Sequence, residues 1–386
     1  MTGRGPNVAV VGAGVFGAWT ADYLLAAGHR VTLIDAYGPA NALASSGGES
    51  RLIRAAYGRD EIYTRMARDS LPKWQALSAV SGLPIFHPHG ILFFFADEQP
   101  YFRDTIATHR SLGLATEVLE RADMQRRFPM LDFEGISFGL FEPQFGALMA
   151  RRAVQTLVDN YVRAGGDYRQ SRVVPPPDSG ARLGEISLSS GEAIKADHFV
   201  FAAGPWLPAL FPEVIGPRIR PTRQEVFFFA PPAGDSRFLP SALPGWCDFN
   251  GGDMYYGFPD LESRGVKIAH DAHGPQIDPD TQDRRPTPAE LEVVIAYRDR
   301  RFPALRGAAL TESRVCQYEN SSNGDLLIDF HPLLKNVLLV GGGSGHGFKH
   351  GPEVGRLAAS LIVGGGTSEP RFSLASKSKT HFREVH

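Results

Sequence analysis

Cysteine is scarce: Cys247 and Cys316 are the only two in 386 residues. That is too few for a disulfide framework or an all-cysteine zinc site, and it fits a reducing cytoplasm best. Long apolar runs are missing as well. Stretches such as Ile91 to Ala96 and Val226 to Ala230 fall far short of the roughly 20 residues a membrane-spanning helix needs, so no transmembrane segment is expected. The opening MTGRGPN leads straight into VAVVGAG without the apolar region and cleavage site of a secretory leader, and folding is expected to begin near Asn7. Neither sign of charge dominates. The 40 Lys and Arg against 42 Asp and Glu give a net charge of -2 at pH 7, which disfavours nucleic acid or an anionic membrane as partner. No grouping of His, Asp and Glu has metal-ligand spacing, and Gly343-Ser344-Gly345 lacks the spacing of a hydrolase nucleophile elbow. Internal repeats, long linkers and heptads are absent too.

What is present is ordinary globular material, 43% hydrophobic and 21% charged, long enough for more than one domain of about 150 residues. Residues 7 to 35 read as strand, tight turn, helix and strand. Val8 to Val11 is wholly apolar, as a strand buried on both faces should be. Gly12, Gly14 and Gly17 follow in GxGxxG spacing, then Ala18, Ala21 and Leu25 at helical intervals, Gly28 at the helix end, and the strand Val31 to Ile34 closing on Asp35. The first glycine makes the turn, the second admits a pyrophosphate, and the third lets helix pack on strand. The helix amino terminus offers free N–H groups to phosphate, and Asp35 can accept from ribose hydroxyls. Because all parts agree, the unit reads as a dinucleotide site rather than a structural glycine turn.

A run of small residues, Pro39 to Ser50, then leads to Arg51 and Arg54; alone it reads equally as an exposed loop or as bare backbone lying against a flat ring. Helices are expected over 60–80, Gln99 to Leu112, Leu148 to Ala164, Pro288 to Arg298 and Pro352 to Val363. Strands are expected within Leu83 to Ala96, in HFVFAAGPW from His198, in VFFFA and MYYGFP, and over Asn336 to Val340. The alternation predicts a mixed α/β chain with two interleaved domains. One, Rossmann-like and nucleotide-binding, spans 1–85, 146–220 and 317–386; the other, β-rich and substrate-binding, spans 86–145 and 221–316. A terminal return to the nucleotide domain suits a large cofactor clamped from two sides, such as FAD.

The segments VVGAGVFG with Asp35, ASSGGESRLIRAAYG, FVFAAGPW, YYGFP with GVKIAH and IDPD, CQYENSSNGDLLIDF and GGGSGHGFKHGPEVG occur in this order. Together they resemble the monomeric sarcosine oxidases and N-methyltryptophan oxidases, flavoenzymes of the D-amino-acid oxidase superfamily. The resemblance implies one FAD per chain, a small-molecule primary or secondary amine bearing a carboxylate as substrate, hydride transfer to flavin N5, hydrolysis of the imine, and reduction of O2 to hydrogen peroxide in a cytoplasmic monomer. It implies that Cys316 bonds covalently to the flavin 8α carbon, while Cys247 is a packing residue.

The same resemblance assigns Arg54 and Lys349 to the substrate carboxylate, for which a guanidinium fork and an ammonium are apt. It sets Arg51 over the flavin ring, Lys267 beside the flavin where oxygen is reduced, and Tyr256 (with Tyr255 competing) and Tyr318 along the pocket. Ser46, Val173, Gly204, Gly345, His346 and Gly347 join Gly12, Gly14, Gly17, Asp35, Arg51, Cys316 and Lys349 as cofactor-binding positions. His346, in a glycine-rich loop, is expected outside the core. One departure stands out: the family has a histidine four residues after the lysine, where this chain has Asp271, between His270 and His273. Either the register shifts by one, or the pocket contains a carboxylate, or Asp271 merely turns the chain. Alternatives on the same scaffold are a pipecolate-type or fructosyl-amino-acid oxidase, a flavin dehydrogenase, and a non-catalytic FAD-binding module.

Overall fold

The strand Asn7–Val11 is the hub of a six-stranded sheet, and its residues after Asn7 are buried. Arg30–Asp35 pairs with it on one side and His198–Phe201 on the other, both parallel, so that Val8 faces Val31 and His198. Asp167–Gln170 extends one edge, and Val337–Gly341 followed by the antiparallel Leu327–Phe330 extends the other. A computed structural model gives this arrangement and describes residues 5–177, 180–250, 254–272 and 274–378.

The helix Val15–Ala26 packs with Ala150–Arg163 and Gly351–Ile362 into one core with the apolar side chains of this sheet. Gly355 permits the close crossing, since a Cβ there would lie 2.6 Å from that of Trp19. The first helix is buried all round from Val15 to Ala21 and again at Leu24; Leu25, expected from the spacing, is only partly covered. Phe199, Phe201, Leu207 and Phe211 form a second core with the side chains of this sheet that the helices leave free.

An eight-stranded mixed sheet lies beyond. Its longest pairing joins Ile219–Phe229 to Leu310–Ser321 antiparallel, from Ile219 opposite Ser321 to Phe229 opposite Leu310. Val266–His270, Tyr255–Phe258, Gly245–Asp248, Ile91–Phe95, Phe138–Glu142 and Glu117–Glu120 follow in order. Helix Pro288–Arg301 covers one face over Phe227, Trp246 and Phe302. Leu310–Ser321 runs unbroken through the expected boundary at 316/317.

Two local expectations are corrected. Ser50–Ile53, where no strand was expected, is a strand, and it pairs with Gly146–Met149, whose last residues had been assigned to the following helix. That helix begins at Ala150. Leu148 and Met149 are buried against Arg51 and Ser50, and this distant pairing overrides their helix propensity.

Candidate functional site

The turn after the first strand is shaped by two glycines. Gly12 has φ 105°, a conformation favouring glycine, and a Cβ there would lie 2.3 Å from the Ala202 carbonyl oxygen. A Cβ on Gly17 would lie 1.8 Å from the Gly12 oxygen, so helix and turn can touch only without one. Gly14 differs: its nearest neighbour would be Ser46 Oγ at 3.6 Å, which leaves room in front of the helix amino terminus. Val15 N–H donates to Ser46 Oγ at 3.2 Å. Asp35 accepts from the N–H groups of Ala13, Tyr37 and Gly38 at 2.8–2.9 Å, which uses three of about four lone-pair sites on a carboxylate. Gly12, Gly14, Asp35, Ser46 and Arg51 line one cavity together with Val173, Gly204, Gly345 and Gly347.

A second cavity adjoins it and shares Arg51, Tyr318, Ser344, Gly345 and Phe348. Cys316, half-buried, lies at this junction with its Sγ 3.7 Å from Arg51 Nη2. Arg51 is held by the carbonyls of Ser50 and Ser45 at 2.8 and 2.6 Å. Lys267 is 2% exposed, and its Nζ donates to the Ser50 carbonyl at 3.1 Å. Burial, and then the Arg51 cation, lower its pKa well below the usual lysine range.

Arg54 and Lys349 occupy the same second cavity, 5% and 3% exposed. Tyr57 organises them: the Arg54 guanidinium lies 4.5 Å and the Lys349 Nζ 5.3 Å from its ring centre. Lys349 Nζ donates to Tyr57 Oη and to the His346 carbonyl, both at 2.8 Å. Burial lowers the Lys349 pKa well below its usual range, with Arg54 adding to the effect. Fully buried Glu142 accepts from Ala55 N–H at 3.1 Å and lies 3.4 Å from His109 Nε2. Burial raises its carboxyl to about 7.

Strand alternation sorts the remaining positions. Lys267 and Asp271 share one side of Val266–His270 and both line the second cavity. His270 points the other way, stacking on Tyr255 with ring centres 4.9 Å apart, and its Nδ1 lies 3.1 Å from Glu290 Oε1. A carboxylate thus stands on the pocket wall; His273 lies outside the described residues. Tyr256 and Tyr318 line the cavity, whereas Tyr255 stacks on Tyr297 at 4.0 Å. His346, expected outside the core, is 7% exposed, its Nδ1 3.2 Å from Tyr57 Oη and its Nε2 3.1 Å from the Gly324 carbonyl. Cys247, read as a packing residue, does border the cavity, with its thiol pushed up to about 12 by burial.

The family described as FAD dependent oxidoreductase matches residues 7–361. The chain belongs to that family. It is 28% identical over 366 residues to the monomeric sarcosine oxidase of Bacillus sp. (strain B-0618), covering 94% of this chain and 93% of that one. It is 30% identical over 376 residues to the N-methyl-L-tryptophan oxidase of Citrobacter koseri, covering 95% and 96%. Among solved structures, L-proline dehydrogenase from P. horikoshii superposes with TM-score 0.82 at 22% identity, covering 95% of this chain and 96% of that one. A modified fructosyl peptide oxidase from Aspergillus nidulans gives 0.83 at 19%, covering 96% and 93%. These likenesses establish the mixed α/β fold of FAD-dependent oxidoreductases.

The first cavity fits the family's cofactor: the helix amino terminus over Gly14 can take a pyrophosphate, and Asp35 keeps one acceptor site for a ribose hydroxyl. Among the described residues, no group of three or more His, Cys, Asp or Glu could hold a metal, and no helix is long and apolar enough to cross a membrane.

Sequence reasoning missed Tyr57, Glu142 and His350, whose Nε2 lies 2.8 Å from Tyr57 Oη. Tyr57 stood three residues after Arg54, but Glu142 ends an apolar run with no motif around it. Its raised pKa has a testable sign. The folded state holds this proton more tightly than an unfolded glutamate near pKa 4.3 does. The resulting stability is complete below that value and lost as pH rises through about 7. Glu142→Gln should therefore lose less stability than the parent between mildly acid and mildly alkaline pH, by on the order of 2 kcal/mol. Thermal melting of both proteins at the two pH values measures this; equal losses would contradict it.

Proposed function

We propose that the protein is an FAD-dependent oxidase of an amine bearing a carboxylate, built as two interleaved units around the two adjoining cavities. The observation that carries this reading is the pair of buried cations, Arg54 and Lys349, on the wall of a cavity continuous with the dinucleotide cradle. A guanidinium fork and an ammonium on one wall suit a carboxylate. A substrate carboxylate bound there fixes the amine's position, which is the main contribution a protein makes to such chemistry. Bound FAD supplies the redox chemistry, accepting a hydride equivalent from the carbon next to nitrogen and delivering electrons to O2 to form hydrogen peroxide.

The other residues have roles consistent with this. Gly12, Gly14, Gly17, Asp35, Ser46, Val173, Gly204, Gly345, His346 and Gly347 shape the cradle and its junction with the substrate cavity. Arg51 holds positive charge at the ring end, beside Cys316. Tyr256 and Tyr318 wall the amine, and Lys267 provides a cation where oxygen gains charge, which favours oxidase over dehydrogenase. Asp271, on the same wall, favours a substrate larger and more polar than N-methylglycine, with hydroxyls or a second positive group near the nitrogen, as in a sugar adduct of an amino acid.

Neutralising either clamp residue should weaken carboxylate binding by about 1.5 to 3 kcal/mol, about one to two decades in affinity. The inhibition constant of a small carboxylate in Arg54→Met and Lys349→Met measures this, and an unchanged constant would refute the clamp. A peroxide-reporting screen of N-methyl amino acids, cyclic imino acids and sugar adducts then ranks substrates. Asp271→Asn should lose selectively those with hydroxyl or cationic groups.

A further inference from the structure

Glu319 has no part in the clamp or at the junction, yet it is buried in the dinucleotide cavity wall. Its Oε1 accepts from Gly343 N–H at 3.3 Å, while Oε2 is buried and has no hydrogen-bond partner among the described residues. An orphaned carboxyl oxygen of this kind calls for a specific partner, because leaving it unmade is costly. Three glycines surround it: a Cβ at Gly343 would lie 3.2 Å from Oε1, and Cβ atoms at Gly341 and Gly204 would lie 3.3 and 3.9 Å from Oε2. The site is thus kept open on the side where side chains would have filled it.

Its place along the cradle indicates which part of the cofactor it meets. Glu319 follows Cys316 by three residues on the edge strand Leu310–Ser321, about 10 Å at the usual strand rise. Gly204 continues from Ala202, which touches the Gly12 turn, and Gly343 leans on Phe16 of the first helix. The carboxyl therefore stands between the ring end at Cys316 and the phosphate end at Gly12 and Gly14. Burial raises it to about 7, so it can donate as well as accept, and in its neutral form it avoids repelling a pyrophosphate.

We propose that Glu319 hydrogen-bonds the sugar-alcohol chain that links the flavin ring to the pyrophosphate. Hydroxyls both donate and accept, which matches a carboxyl able to do either. The inference rests on the FAD reading of the cavity.

The test uses full-length Cys316→Ser protein freed of flavin and titrated by fluorescence with FAD, riboflavin (ring and sugar alcohol) and lumiflavin (ring alone). Adding Glu319→Leu should weaken FAD and riboflavin by about tenfold or more and lumiflavin by less than about twofold, while Glu319→Gln should stay within about threefold throughout. Circular dichroism and melting establish that each variant folds; should Glu319→Leu not fold, Glu319→Ala replaces it with the same expectation. Unchanged riboflavin binding would overturn the proposal, as would an equal loss for lumiflavin or a loss confined to FAD, which would place the partner on the phosphates. Failure of the Cys316→Ser parent to bind FAD at all would instead refute the cofactor reading beneath it.

Discussion

Protein denatured in acid should keep its yellow colour and carry the added mass of one FAD. The half-buried thiol of Cys316 lies at the junction of the two cavities, 3.7 Å from a guanidinium nitrogen of Arg51. Attachment would join Sγ to the ring's 8α carbon, with the thiol hydrogen, one methyl hydrogen and their two electrons passing to O2 as hydrogen peroxide. Cys247 is fully buried with its thiol pushed up to about 12, so it stays protonated and inert. Cys316→Ser should release all the colour on denaturation, and Cys247→Ser should release none. Colour lost entirely from the acid-treated parent would refute the bond.

The other large effect concerns oxygen. Lys267→Met should slow reoxidation of the reduced enzyme by on the order of a hundredfold, the usual worth of a preorganised group facing developing charge, while reduction by substrate changes far less. The ammonium is fully buried against Ser50, beside the aromatic ring of Phe258 at 4.8 Å, in a setting where charge is weakly screened. Because its pKa lies below the usual lysine range, reoxidation by the parent should also slow with rising pH earlier than an ordinary lysine would dictate. Stopped-flow mixing of reduced protein with oxygen separates the two half-reactions. Equal reoxidation rates in parent and variant would make Lys267 a structural or substrate-binding residue.

The parts of this site that were legible in the sequence are local or carried by motifs. The strand, Gly12, Gly14, Gly17, helix and Asp35 lie within 29 consecutive residues, from 7 to 35, and each position has its own steric reason. Arg51, Arg54, Lys267, Cys316 and Lys349 come from separate segments, and resemblance rather than spacing brought them together as candidates. Asp271 could not be resolved from composition; the pairing of Val266–His270 with Tyr255–Phe258 was needed to show that His270 faces the helix and Asp271 the cavity. Glu142, Tyr57 and Glu319 were not legible, because their meaning lies in burial and in partners from distant segments. The strand Ser50–Ile53 was hidden for the same reason: only its pairing with Gly146–Met149 distinguishes it from loop.

Mixing the flavin-loaded protein anaerobically with a series of carboxylate-bearing amines, and then admitting oxygen, reads both the substrate class and the electron acceptor in one experiment. At least one such amine should bleach the flavin, its analogue lacking the carboxylate should not at the same concentration, and oxygen should restore the colour with stoichiometric hydrogen peroxide. Bleaching that is indifferent to the carboxylate, or that only an electron carrier and not oxygen reverses, would contradict the proposed function.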